Sequence, residues 1–334
     1  MRFLIALGLL LSLAGGVEVK IASYNVENLF DMEYEGNEYE EYIPNGDWGW
    51  TQDIYRAKLR NTAKVIRGIN ADIIGLQEIE SERALKDLKA ELNRQGLYYR
   101  YYLFARNKSS TVSTALLSRY PIQSGWRHPI NHNGKMRDIL EAKLDINGES
   151  LRVFVNHWKS KSGPESRRIE SAKRLIYRLG ELPENEPFVL LGDFNSDYQE
   201  NVVFLKSRKH NDTDGVTGIN HILRTIDEDG KPITYTTLTS PYLYNLWYDL
   251  PPEKRWSHQY KGKKEGLDNM IISPALIDGK GVEYVRGSFQ RYEADFLFYK
   301  EKPYRWQHSK GHPKTHTGEG YSDHLPIMAT FRVE

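Results

Sequence analysis

The sequence predicts a layered domain of the α/β or α+β class. Three observations carry this: apolar runs of strand length recur along the chain, amphipathic helical patterns lie between them, and no Pro- or Gly-rich linker divides the 334 residues. With 39% hydrophobic and 12% aromatic residues, the chain is long enough to bury a sizeable core. One domain over residues 15–334 is expected.

Residues 1–14 read as an export signal. Arg2 precedes an apolar run over 3–11, and Ser12-Leu13-Ala14 supplies small residues at the usual cleavage spacing. About 12 apolar residues fall short of the roughly 20 that span a bilayer. The expectation is a secreted or periplasmic protein, monomeric, with no stable membrane insertion after cleavage. The chain has no cysteine, which excludes a disulfide scaffold and a thiolate metal site.

Strand-like runs then follow at 19–24, 72–76, 114–117, 141–145, 151–155, 188–191, 270–272 and 327–331. Helical spacing is present over 53–69 and 82–92, and again where Ile169, Ala172, Leu175, Ile176 and Leu179 share one face. Two stretches break the pattern. The Tyr/Glu-rich segment 33–42 reads as a surface loop. Residues 211–264 are irregular and carry Tyr242, Tyr244, Trp247, Tyr248 and Trp256, so both are expected near one rim, where long loops shape substrate clefts.

Without the signal the chain balances 45 basic against 45 acidic residues, since Arg2 is the one charged residue removed. Global charge therefore does not mark a nucleic-acid binder, but its distribution is uneven. Residues 27–47 hold eight acidic and no basic residues, and 151–180 hold eight basic and two acidic. The basic stripe either tracks phosphates or is a solvated helix face.

Polar residues cluster at the ends of the predicted strands, where a layered domain gathers distant positions into one site. Asn25 follows the first run, Gln77-Glu78 the second, His157 the run at 151–155, and Asp193 and Asn195 the run at 188–191. Asp268 opens the strand at 270–272, and Asp323-His324 precede the last one. Singly, each is an ordinary turn or cap residue.

Taken together and in order, S-Y-N-V-E-N, L-Q-E, N-H-W-K-S-K, L-G-D-F-N, L-D-N-M-I-I-S and S-D-H-L-P-I resemble the endonuclease/exonuclease/phosphatase superfamily. The likeness runs from about residue 19 to 333, and N-H-W-K-S-K with S-R-R-I-E-S-A-K-R is most similar to bacterial extracellular nucleases. It implies an α+β, four-layer α/β/β/α sandwich with two facing mixed β-sheets and a catalytic edge. It also implies a hydrolase acting on phosphoester bonds. The tyrosine that abasic-site endonucleases carry before the strand at 114–117 is missing, with Thr111 and Val112 nearby instead, which argues against abasic-site repair.

By this resemblance Glu78 is the principal metal ligand, completed or supported by Asn25 and Asp323. Oxygen donors suit Mg²⁺ or Mn²⁺, with Ca²⁺ as a supporting ion. Asp193 orients or deprotonates the attacking water, Asn195 holds water and phosphate, and His324 with Asp268 forms a phosphate-facing pair, with the base left open between His324 and Asp193. His157 faces the phosphate from the other side. If its strand continues, Lys159 and Lys161 share its face and point at a polyanion; the alternative is an edge strand blunted by lysines. Arg137 resembles a phosphate-contacting arginine, and Arg119 reads as loop support. His308, His312 and His316 are spaced by four, but Gly311, Pro313 and Gly318 disfavour the helix such a metal site needs, leaving a loop over the cleft.

Nucleic acid is the expected substrate, DNA with RNA as an additional one. A lipid headgroup or other small phosphoester is the rival, because the same chemistry serves both and the sequence offers a basic stripe and an aromatic loop.

Overall fold

The computed structural model describes residues 16–333 except 108, 132–135, 206, 208 and 313; the expected signal at 1–14 lies outside them. In chain order the strands begin with β1 (Val17–Leu29), β2 (Ile73–Ile79), β3 (Tyr101–Phe104), β4 (Ser113–Ser118), β5 (Ile122–His128) and β6 (Ile139–Ile146). They continue with β7 (Glu149–His157), β8 (Phe188–Asp193), β9 (Tyr244–Asn245), β10 (His258–Tyr260), β11 (Lys263–Glu265) and β12 (Asp268–Ile272). The last are β13 (Val282–Tyr284), β14 (Gln290–Arg291), β15 (Phe298–Tyr299), β16 (Lys302–Pro303) and β17 (Ile327–Val333). The main helices are α1 (Gln52–Ile69), α2 (Glu82–Arg94) and α3 (Glu165–Gly180).

One sheet runs β13-β17-β1-β2-β4-β3, with β14 also on β17, and the other runs β5-β6-β7-β8-β12-β9. Each is mixed: β1 is parallel to β2, and β7 to β8, amid antiparallel neighbours.

The four layers follow from the period of two along each strand. On β1, Val19 and Ile21 face the second sheet and meet Val155, Val189 and Leu191 in the central core. Ala22, Tyr24 and Val26 face the other way, onto Leu59 and Ile66 of α1 and Leu85 and Leu88 of α2. Behind the second sheet, Phe154, Leu190 and Ile271 pack on Ala172 and Leu175 of α3. The sheets approach closely at Gly75, where an added Cβ would lie 2.3 Å from Leu191 Cδ1.

Local chemistry sets the helix ends. The Thr51 hydroxyl accepts from Ile54 N–H and Asn70 closes α1 in the left-handed conformation; Ser81 likewise accepts from Ala84 N–H at the start of α2. The strands β3 and β5 were not anticipated. β5 is an edge strand that leaves Gln123, Trp126 and Arg127 exposed, so it lacks the apolar run that would announce it.

Two expectations are corrected. The strand at 151–155 ends at His157, so Lys159 and Lys161 do not continue its face. The aromatics of 211–264 are largely core, with Trp247 0%, Tyr244 2% and Trp256 6% exposed. Tyr244 and Trp247 fill space beneath the second sheet and Trp256 joins the core on the other side of the first sheet, instead of forming an apolar rim. Among the described residues no helix is long and apolar enough to cross a membrane.

Candidate active site

The parallel pairs β1–β2 and β7–β8 put their carboxyl-terminal ends at one edge of the sandwich, and the site is built there. Both strands of the first pair are bulged, between Asn25 and Leu29 on β1 and between Gln77 and Ile79 on β2. The bulges hold Glu27, Asn28 and Glu78 at φ of 52°, 63° and 65°. Non-glycine residues in that region store about 1–3 kcal/mol each, and such strain persists where a site needs it. Here it swings the Glu78 carboxylate inward: Oε1 accepts from Asn25 Nδ2 at 3.1 Å and Oε2 from Asn28 N–H at 3.0 Å.

Asn25 Nδ2 also donates to Asp193 Oδ2 at 3.1 Å, so one amide ties the two sheets together. Its oxygen accepts from Glu27 N–H at 3.0 Å. That contact turns the amide nitrogen toward the carboxylates, where Asn25 supports Glu78. Asn195 folds back on Asp193, through N–H at 2.8 Å and Nδ2 at 3.1 Å.

The two histidines flank Asp193. His157 Nε2 lies 3.5 Å from Asp193 Oδ2 and 3.6 Å from Glu78 Oε1. His324 Nε2 lies 3.9 Å from the same Asp193 oxygen, while its Nδ1 sits 2.7 Å from Asp268 Oδ2. Asp323 Oδ1 is 3.9 Å from His324 Nε2. Arg137 anchors behind His157, its Nε donating to the His157 carbonyl at 3.1 Å and its Nη2 to the Trp158 carbonyl at 2.5 Å.

Electrostatics divides these groups. Burial lifts the Asp193 carboxyl to about 7 even though His324 opposes it, and burial with Asp323 raises Glu78. Burial, then the charges of Arg137 and His324, hold His157 well below its ordinary value, so it is neutral. Burial alone would neutralise His324 too, but Asp268 and Asp193 outweigh it and lift it well above the usual histidine value.

The residues fit a hard divalent cation. Glu78, His157 and Asp193 offer ligand atoms within 4.8 Å of one another, as do Asp193, Asp268 and His324, and His258, Asp323 and His324. Crowded carboxylates that raise each other's affinity for protons are groups a cation would relieve. Buried Asp268 Oδ1 has no hydrogen-bond partner among the described residues.

Sequence reasoning missed Ser257, His258 and Arg305. Ser257 Oγ donates to Asp268 Oδ2 at 2.5 Å. The His258 ring stacks on His324 at 4.6 Å between centroids. Arg305 Nε donates to Glu27 Oε1 at 2.9 Å, and its Nη2 lies 3.4 Å from Asp323 Oδ2. Ser257 and Arg305 sit in irregular stretches, and His258 opens β10, a strand of three residues too short for periodicity to signal. Glu27 lay inside the quoted S-Y-N-V-E-N without a role of its own.

Other expected site residues lie elsewhere. Lys161 Nζ is held between Glu200 at 2.6 Å and Glu265 at 2.9 Å, so it is not presented to a polyanion. The basic stripe is likewise largely neutralised: Arg152 pairs with Glu141 and Glu186, Arg168 with Glu165, and Arg178 with Glu141. Lys159 has no ion pair among the described residues. Arg119 supports its loop through Asp72 at 2.7 Å. His316 is 6% exposed, accepts from Trp306 Nε1 at 2.8 Å, and packs on Trp50 at 4.9 Å between centroids. It pins the loop at 33–42 to the body in place of lining a metal site.

The fold gathers carboxylates and histidines into one cleft of the kind that metal-assisted hydrolysis uses. Residues 20–237 and 233–333 match the Endonuclease/Exonuclease/phosphatase family, and the chain belongs to it; enzymes of this family depend on a divalent metal. Over 161 residues the chain is 26% identical to the uncharacterized protein YbhP of Escherichia coli (strain K12), covering 44% of this chain and 62% of that protein. The chain thus spans under two thirds of the length of that curated relative. Humanized D. rerio TDP2 superposes with a TM-score of 0.59 at 15% identity, over 94% of this chain and 98% of that one. D. rerio TDP2 complexed with single strand DNA product gives 0.57 at 13%, over 94% and 98%. Staphylococcus aureus beta toxin 275-280 gives 0.54 at 17%, over 93% and 99%. At such identities the structures share the fold.

Proposed function

We propose that this chain is a secreted nuclease that hydrolyses DNA, and RNA as well, by attack of water on a phosphodiester. The observation that carries the chemistry is Asp193, set between a neutral histidine, His157, and a cationic one, His324. With a carboxyl lifted to about 7, Asp193 is matched to taking a proton from water near neutral pH. Asn195 orients that water beside it. His324, held cationic by Asp268, faces the oxygens on which charge grows and supplies a proton to the departing alkoxide at Nε2. His157 donates a hydrogen bond from the other side, backed by Arg137.

Glu78 and Asp323 would hold Mg²⁺ or Mn²⁺, with Asn25 steadying Glu78. The ion supplies neutralisation of phosphate charge when bound.

Two observations favour nucleic acid over a lipid headgroup. Tyr244, Trp247 and Trp256 are buried, so the aromatic-rich stretch 242–256 offers no large apolar rim, and TDP2, solved with a single-strand DNA product, shares the fold. The test is turnover by the purified protein, with Mg²⁺ or Mn²⁺, on plasmid DNA, RNA and sphingomyelin in parallel. Faster cleavage of sphingomyelin than of DNA would replace this reading with the lipid one.

A further inference from the structure

Two hairpins stand beside the cleft and repeat one pattern. β10 and β11 are joined by Lys261-Gly262, β15 and β16 by Lys300-Glu301, and each pair of turn residues has positive φ, 47° and 86° in the first and 51° and 63° in the second. This is the geometry of a tight two-residue turn whose twist matches its strands. In each, a tyrosine ends the first strand opposite a lysine: Tyr260 pairs with Lys263 and Tyr299 with Lys302. The tips therefore read Tyr-Lys-Gly-Lys and Tyr-Lys-Glu-Lys.

Both tyrosines are exposed, at 57% and 59%, although each ring is a large apolar surface that the fold does not bury. Lys261 Nζ lies 5.4 Å from the Tyr260 ring centroid and Lys300 Nζ 5.3 Å from that of Tyr299. The hairpins are near each other and near the chemistry. β10 packs against β16, and His258, the first residue of β10, bridges through its backbone to His324. From Lys254 to Lys264 there are five basic residues and no acidic one.

We propose that these hairpins form a rim that grips a single-stranded nucleic acid, Tyr260 and Tyr299 stacking on bases and Lys261 and Lys300 meeting the phosphates. The inference rests on the nuclease reading and narrows its substrate. An exposed aromatic face is of use to a base only when that base is unstacked, and a cation beside it matches a polyanion. A bilayer surface fits less well, because the tips carry no Trp, Phe or Leu to insert.

The test compares the wild type with Tyr260→Ala/Tyr299→Ala, Tyr260→Phe/Tyr299→Phe and Lys261→Ala/Lys300→Ala. Affinity is measured in EDTA by fluorescence anisotropy, for a labelled oligothymidylate and for a duplex of equal length. Vesicles of equal parts phosphatidylcholine and phosphatidylserine are tested by co-sedimentation. Each tyrosine lost to alanine should weaken single-strand binding ~5-fold or more, as loss of one base stack does, with the phenylalanine pair near wild type and duplex binding little changed. The lysine pair should lower the single-strand salt slope by about 1.4, at roughly 0.7 per phosphate contact. Hydrolysis of bis(p-nitrophenyl) phosphate should stay at the wild-type rate in all three, which shows that they fold. Unchanged single-strand affinity in the alanine pair overturns the rim, and so does wild-type vesicle binding that the tyrosine substitutions abolish. If the wild type cleaves DNA while the hairpin variants bind it normally, the rim alone falls; if the wild type neither binds nor cleaves nucleic acid, the nuclease reading falls with it.

Discussion

The Ser257 hydroxyl and His324 Nδ1 converge on the same oxygen of Asp268, at 2.5 Å and 2.7 Å. Ser257 is fully buried and is itself fixed by backbone bonds from Leu325 N–H to its carbonyl and from its own N–H to Glu265. It therefore sets the direction in which the Asp268 carboxylate faces the histidine. Ser257→Ala should lower kcat about 10-fold, the scale of one lost hydrogen bond to a charged group, and leave KM unchanged. Ser257→Thr should restore most of it. A KM change as large as the kcat change would show that Ser257 acts on binding.

Glu78 and Asp193 should fail differently. Glu78→Ala removes a ligand, so its activity should recover partly in excess Mn²⁺, whereas Asp193→Asn removes a group needed in the transition state and should be inactive at any metal concentration. The check is a metal titration of both variants on plasmid DNA. Equal responses would undo the division of roles.

Lys161 should matter for folding. Its removal leaves Glu200, at least nine-tenths buried, without its cation, while Glu265 keeps Lys263 at 2.8 Å; the change is expected to destabilise by about 3 kcal/mol. Lys161→Ala should therefore lower Tm clearly and leave the salt slope on duplex DNA alone. Lys159→Ala, with no ion pair to lose, should keep Tm; if it meets a phosphate it lowers the slope by about 0.9. A Lys161→Ala protein with wild-type Tm and a reduced slope would return that residue to substrate binding.

Acid stability should depend on Glu141, fully buried behind the second sheet. Burial alone would raise its carboxyl, but hydrogen bonds from His128 and Arg178 overrule this and bring it down to about 2. A carboxyl lower in the folded than in the unfolded chain stabilises the fold above the ordinary carboxylate range, and that contribution disappears as pH falls toward 2. The shift corresponds to about 3 kcal/mol. Glu141→Gln should lower stability near pH 7 and flatten its dependence between about pH 5 and 2, read from urea midpoints against pH. A variant as pH-dependent as wild type would place the acid sensitivity elsewhere.

The sequence by itself determined the layers and most of the cleft. Alternating apolar residues in β1, such as Val19, Ile21, Tyr24 and Val26, commit both faces of a strand to burial, and the ordered motifs place Asn25, Glu78, His157, Asp193, Asn195, Asp268, Asp323 and His324 at strand ends. Periodicity and spacing are local properties, so these were legible. Which charges remain free was decided only by the tertiary structure. Arg152, Lys161 and Arg178 read as a phosphate track because their partners, Glu141, Glu186, Glu200 and Glu265, come from other elements. Ser257 and Arg305 reach the site on loops with no period of their own, and His258 on a three-residue strand too short to show one. Burial, too, is a property of the packed chain: it neutralises His157, while the Asp268 and Asp193 carboxylates that the fold brings beside His324 overrule it there.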